Sequence, residues 1–391
     1  MGLALRLTES VAVAGLAALG VSLLFGTGFG AIAFRVAGVR TPQGRGHRFG
    51  LTLTALLAAF GAALVLKPLD VPADTPAERQ GTQYWRLATG SRLAYSHFPA
   101  SGQRRAEPIV FLHGGPGAPL RDSEYRFFER FARDGYDVYL YEQLGTGRSD
   151  APPDVRDYTV RRSVADLEAI RGAVGAERLI LVGQSWGAAL AAHYTATHPQ
   201  RVARLIFPSP GPLSHSHRVR PDASRTVGAV YGYGGPQPPL RVLAAGYLAG
   251  VSPQLAASFA PPQELNGYMG SLSPRIMNLS YCADRADSVP AVEQGGFDFY
   301  ANHLLQRDLD HQRDVRPALR ASAVPVLVIK GECDYVPWGV ARDYRSSFGN
   351  ARLVYLESTG HLLWGGQPER SYAVMRAFLA DEPLPAPEVP L

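Results

Sequence analysis

Residues 182–190 read VGQSWGAAL. A serine hydroxyl at neutral pH is a poor nucleophile. A chain that uses one must supply a base, an acid to orient that base, and donors for the negative oxygen of a tetrahedral intermediate. Ser185 stands between Gly183 and Gly187, follows the apolar run RLILV, and heads the small-residue run WGAALAAHYTATH. By itself a G-x-S-x-G match arises by chance in about one chain in four of this length and composition. Its position between a strand and a helix gives it weight, because a turn that lifts a serine above a strand end leaves no room for neighbouring side chains. The plainer alternative is a serine that caps a helix.

The partners lie far along the chain. After the apolar run VPVLVIK come Gly331-Glu332-Cys333-Asp334-Tyr335-Val336-Pro337, and after LVYLE come Ser358-Thr359-Gly360-His361. Asp334 is expected to hold the imidazole of His361 in one tautomer, and His361 to take the proton of Ser185. Glu332 is the rival acid. His193 and His198 fall on the helix after Ser185, and His303 and His311 fall in a later insertion, so none of them competes for the base. The oxyanion donors are expected from His113-Gly114-Gly115-Pro116-Gly117, directly after the strand PIVFL, and from the residue after the serine. The candidates are the N–H groups of Gly114, Gly115 and Trp186.

These residues can meet only if the elements between them form a sheet with its strand ends at one edge. The segments YWRLATGSRLAYSHF, PIVFL, YDVYLYE, RLILV, RVARLIFPS, VPVLVIKG and ARLVYLE read as strands, separated by helical patterns such as SVADLEAIRGAVG. Strand and helix in alternation predict a mostly parallel sheet with helices on both faces. Loops at the carboxyl ends of such strands collect the reactive groups. The pattern breaks between Ser209 and Ala323. A stretch of that length is too long for a plain loop and is expected to fold as a helical cap. The predicted layout is therefore a sheet core from 82–209 and 324–380, a cap from 210–323, and a Pro-rich tail from 381–391.

The first 68 residues read differently. Val11–Phe34 is 24 residues without a charge, and Phe49–Leu66 is 18. The first exceeds the thickness of a bilayer core as a helix, and the second sits at the lower limit. The connector RVAGVRTPQGRGHR holds four arginines and no acid. Positive loops stay cytoplasmic, so a two-span transmembrane hairpin is expected, with the body extracytoplasmic beyond a linker at 69–81. A cleaved secretory signal is the alternative for the first run.

The net charge of +5 adds no partner, because residues 1–67 carry six basic side chains against one acid and the remainder is neutral. A nucleic-acid surface is thus not expected, and neither a metal nor an organic cofactor is required. Cys282 and Cys333 are too few for a disulfide framework. One bridge would need an oxidising compartment, and two thiols are the simpler expectation.

HGGPG, a GxGxS loop at Glu142-Gln143-Leu144-Gly145-Thr146-Gly147-Arg148-Ser149, and SWG together resemble the proline iminopeptidase branch of the α/β-hydrolases. The resemblance covers about residues 82–380. It implies an α/β-hydrolase fold, the triad Ser185, Asp334 and His361, and oxyanion donors at Gly114, Gly115 and Trp186. It further implies an aminopeptidase acting on short peptides with a free N-terminus. Gln184 replaces the usual glycine before the serine, and Glu142 the usual aspartate. The branch holds the substrate amine with cap glutamates, but the matching stretch here is Phe299-Tyr300-Ala301-Asn302-His303, with alanine at that place. Asp298 is the candidate substitute. A carboxylic ester or amide hydrolase would need no such carboxylate. A binding protein on the same fold would be expected to lose a triad member, and none is missing.

Overall fold

The computed structural model describes residues 45–214, 238–282 and 295–389. Eight strands form one sheet: β1 (Gln83–Arg86), β2 (Arg92–Phe98), β3 (Ile109–Leu112), β4 (Val138–Tyr141), β5 (Leu179–Gly183), β6 (Val202–Pro208), β7 (Val326–Gly331) and β8 (Ala351–Leu356), in the order β1-β2-β4-β3-β5-β6-β7-β8. β2 runs antiparallel to its neighbours β1 and β4, and β3 through β8 run parallel to one another. Every residue of β3, β4, β5 and β7 is buried. This is why those strands read as unbroken apolar runs: a sheet covered on both faces has no solvent side for polar residues. The edge strand β1 exposes three of its four residues.

The helices in chain order are α1 (Arg45–Leu66), α2 (Asp122–Phe128), α3 (Val160–Ala173), α4 (Trp186–Thr197), α5 (Leu240–Val251), α6 (Pro253–Phe259), α7 (Pro262–Leu279), α8 (Phe299–Asp310), α9 (Arg316–Arg320), α10 (Trp338–Ser347), α11 (Leu363–Gly366) and α12 (Pro368–Leu379). In α3, Val164, Leu167 and Ile170 are buried along one face as the periodicity predicts. Directly after α2 the chain tightens into a 3-10 turn at Glu129–Asp134 and stops at Gly135, which has φ +90°. Five of the helices among the described residues lie between β6 and β7, where the insertion was expected.

The chain forms two compact units. One comprises Pro72–Gln237 and Asn266–Leu391 and contains the whole sheet. The other comprises the chain up to Val71 with Pro238–Leu265, so part of the stretch expected as a single cap belongs instead with α1. Arg241, buried in α5, explains the association within that smaller unit. Its guanidinium donates to the carbonyls of Val65, Leu66 and Phe259 and makes a two-point bond to Glu264. It thereby satisfies carbonyls at the end of α1 that no helical N–H can reach. Among the described residues no helix is long and apolar enough to cross a membrane. The run Val11–Phe34 and most of the arginine connector lie outside the described residues, and the run Phe49–Leu66 falls in α1.

The cysteines depart from expectation. Cys282 and Cys333 are joined in a disulfide, with Cα atoms 5.2 Å apart. Their separation of 51 residues conceals a juxtaposition that folding creates. The chain leaving α7 runs beside the loop after β7, and Ser280 O accepts the N–H of Leu362 close by.

Candidate active site

Ser185 is the turn between β5 and α4, with φ 52° and ψ −119°. A non-glycine residue held there stores on the order of 1–3 kcal/mol of strain, which the surroundings must over-determine. They do so through the backbone: Ser185 N–H donates to Ser209 O at 3.1 Å, and Ser185 O accepts from Gly211 N–H at 2.9 Å. The flanking glycines are required by contact. A Cβ on Gly183 would lie 2.5 Å from Gly187 O, and a Cβ on Gly187 would strike the carbonyl of Leu112. A Cβ on Gly114 would come 2.9 Å from Ser185 Cβ, so the HGGPG loop passes directly beside the serine.

Asp334 and His361 follow β7 and β8, at the same carboxyl edge as Ser185 after β5. They are brought together: Asp334 Oδ1 lies 2.7 Å from His361 Nδ1, and both residues are buried. With Nδ1 on the carboxylate, Nε2 is the nitrogen left for proton transfer. Asp334 Oδ1 also accepts the N–H of Val336 at 3.0 Å, and Oδ2 lies 2.7 Å from Lys330 Nζ. Burial pushes the Asp334 carboxyl up, but His361 and Lys330 outweigh it and hold the group at about 2. Glu332 points elsewhere and accepts the N–H of Ser358 at 2.7 Å on the exposed side of the loop. Of the two acids, Asp334 is the one placed against His361. His193 lies in α4 and His303 in α8, and His198 and His311 are the C-caps of those helices; His198 packs on Tyr194 and His303 stacks on Phe299.

The HGGPG loop is set by a residue that motif reading passed over. Gln143 N–H donates to His113 Nε2 at 2.9 Å, so Nδ1 carries the proton and donates to Gly114 O, also at 2.9 Å. Burial, above all, lowers the His113 pKa to about 4 and keeps the ring neutral in this role. With the Gly114 carbonyl drawn towards the imidazole, the trans, planar peptide turns the Gly115 N–H to the opposite side. The Gln143 side chain bonds His113 O at 2.9 Å and accepts the Trp186 indole N–H at 3.0 Å. One amide therefore ties the glycine loop to the elbow. The Trp186 backbone N–H, in the first turn of α4, has no intrahelical acceptor within reach. Both it and Gly115 fit the predicted donor role, and Gly114 supplies the close backbone approach. Glu142 accepts the N–H of Arg148 at 2.7 Å and pairs with its guanidinium at 3.1 Å, which holds the GxGxS loop closed.

Asp298 does not stand as an open amine-binding carboxylate. It is buried as the N-cap of α8. Oδ1 accepts Ala301 N–H at 2.6 Å and Oδ2 accepts Tyr158 O–H at 2.8 Å. Its own N–H donates to Gly117 O at 2.8 Å, so it braces the HGGPG loop from behind. Burial raises its pKa to about 6. The sequence signal for this role was an acid immediately ahead of a helical run, which is a capping pattern. Among the described residues no group of three His, Cys, Asp or Glu side chains is placed to hold a metal ion.

The family model for the alpha/beta hydrolase fold matches residues 107–364. Proline iminopeptidase from Xylella fastidiosa is 27% identical over 284 residues, which cover 68% of this chain and 86% of that protein. Proline iminopeptidase from Saccharolobus solfataricus is 25% identical over 318 residues, 74% of this chain and 89% of that protein. Among solved structures, an esterase from Thermogutta terrifontis superposes with a TM-score of 0.55 at 18% identity, covering 77% of this chain and 98% of that one. At that identity the likeness speaks to the fold alone.

Proposed function

We propose, on the premise that this chain belongs to the α/β-hydrolase fold family and is a hydrolase of its proline iminopeptidase-like branch, that it is a membrane-anchored serine aminopeptidase acting on short peptides. The observation that carries the reading is the 2.7 Å Asp334–His361 pair at the sheet edge where Ser185 occupies a positive-φ elbow. Ser185 Oγ attacks the scissile carbonyl as its proton passes to His361 Nε2. Asp334 stabilises the imidazolium, and the N–H groups of Gly115 and Trp186 take up the charge on the oxygen. The imidazolium then protonates the leaving amine. Water, deprotonated by the same imidazole, releases the acyl group from Ser185.

A carboxylic ester or amide hydrolase is the second reading. It is favoured by Ala301 at the place where the branch has a glutamate, and by the internal bonding of both Asp298 oxygens. Attachment to the membrane is supported by the two uncharged runs and by the outward-facing Leu53, Leu56, Phe60 and Leu64 of α1. An extracytoplasmic body is supported by the arginine connector and by the disulfide, which persists in oxidising compartments.

The test is kinetic. Ser185→Ala is expected to abolish both turnover and covalent labelling by a fluorophosphonate, and retained turnover would end the serine-hydrolase reading. Rates on a proline anilide against a short-chain nitrophenyl ester decide between peptidase and esterase. The peptidase reading fails if only the ester is cleaved.

A further inference from the structure

Lys330 is one of only two lysines among 39 basic residues, and it is the last residue but one of β7. It is 1% exposed. Its ammonium donates to two carbonyls, Asp334 O at 3.1 Å and Val336 O, and forms an ion pair with Asp334 Oδ2 at 2.7 Å. An ammonium carries only donors, and each of these neighbours is an oxygen, so the site matches the charged form. A neutral amine would turn a lone pair onto one of those oxygens. A guanidinium is planar and wider than an ammonium.

We propose that Lys330 is a positioning residue for the hydrolytic reaction: it fixes Asp334 with Oδ1 towards His361 and balances the carboxylate's charge. The proposal rests on the assignment of Ser185, Asp334 and His361 above. The charge count gives the direction. With Lys330 present, the group of ammonium, carboxylate and neutral imidazole carries no net charge, and a proton on His361 makes it positive. Without Lys330 the same proton turns a buried net negative charge into a neutral pair, and is held more tightly.

Among the described residues, the other groups around the imidazole do not supply this charge. Tyr335 packs its ring 4.3 Å from the imidazole, Glu332 is turned to Ser358, and Tyr281 from the segment after α7 lies against Gly365. Behind the ammonium is the ring of Trp338 at 5.9 Å, with Arg342 on the same ring at 5.9 Å. Burial lowers the Lys330 pKa, and the Asp334 carboxylate opposes that shift.

The experiment measures kcat/KM against pH for the full-length protein, Lys330→Gln and Lys330→Met, with Ser185→Ala as the control for the parent reading. The acid limb is expected to move up by roughly one pH unit in both variants. Lys330→Gln, which can still bond Oδ2, should retain more of the alkaline plateau than Lys330→Met. A lowered plateau with the acid limb in place would mean that Lys330 only supports the fold, and would overturn the proposal. If Ser185→Ala remains active, the parent reading fails instead. Should the variants not fold, NMR of isotope-labelled lysine in the unaltered protein decides, since only Lys67 and Lys330 contribute signals. A protonated Lys330 across the active pH range supports the proposal, and a neutral amine there refutes it.

Discussion

At the scale of single residues, the site is governed by which oxygen or nitrogen each polar group is given. Asp334 and Glu332 are two residues apart in one loop, yet one meets His361 Nδ1 and the other meets a backbone N–H on the exposed side. Gln143 is as specific. Its amide nitrogen serves His113 O and its amide oxygen serves the Trp186 indole, so it couples the loop beside the serine to the helix behind it. Gln143→Leu removes both bonds at similar volume and leaves a buried indole N–H unpaired, at a cost of about 1–3 kcal/mol. If the bonds position the oxyanion donors, kcat should fall by roughly ten- to a hundredfold with KM little changed. An unchanged kcat would show that the loop keeps its shape without them.

At the scale of elements, α8 illustrates how a helix terminus is held next to a reactive loop. Asp298 caps it, bonds Tyr158, and donates its backbone N–H to Gly117. Because burial raises the Asp298 pKa to about 6, the linkage runs opposite to that of a paired carboxylate. The stability associated with this group is fully present below the unfolded value near 3.8, and is lost as pH rises through about 6. Asn caps helices as well as Asp does. Asp298→Asn should therefore raise the melting temperature at pH 7–8, by an amount equivalent to roughly 1–3 kcal/mol, and leave it unchanged near pH 4. Calorimetry at the two pH values checks this. The same variant tests the amine-binding alternative, since a carboxylate that gripped the substrate ammonium would raise KM for a proline anilide but not for an ester when replaced.

At the scale of the whole molecule, one covalent bond and a set of exposed apolar side chains bear on the proposed extracytoplasmic, membrane-anchored placement. The Cys282–Cys333 bridge closes a loop of 51 residues, which corresponds to roughly 4 kcal/mol on a chain-entropy basis. It ends one residue before Asp334. In the smaller unit, Leu53, Leu56, Phe60, Leu64 and Leu66 of α1 and Leu240, Leu243 and Tyr247 of α5 are exposed, a concentration of large apolar side chains that water does not favour. For an extracytoplasmic body, alkylation of intact cells should find both cysteines oxidised, and external protease should cut the sheet-bearing unit. Free thiols and full protection together would place the body inside. Reduction of the purified protein is expected to lower its melting temperature, because the loop that carries Asp334 loses its covalent tether.

The sheet and the elbow were legible in sequence because both are dictated locally. Strands buried on two faces must be apolar throughout, and a turn that raises Ser185 must have glycine where Gly187 meets the Leu112 carbonyl. That Asp334 and His361 would fall at the same sheet edge as Ser185 was readable for the same reason, since each follows a recognisable strand. What the chain order could not reveal was partnership between distant side chains. Lys330 looked like the end of a strand, Asp298 like an available acid, and the two cysteines like separate thiols. Each acquired its role from neighbours that arrive only when β7, α8 and the end of α7 are packed in place: a carboxylate for the ammonium, a helix terminus for the acid, and one thiol for the other. Local chemistry selects the element, and burial in the tertiary structure decides which polar atoms must find each other there.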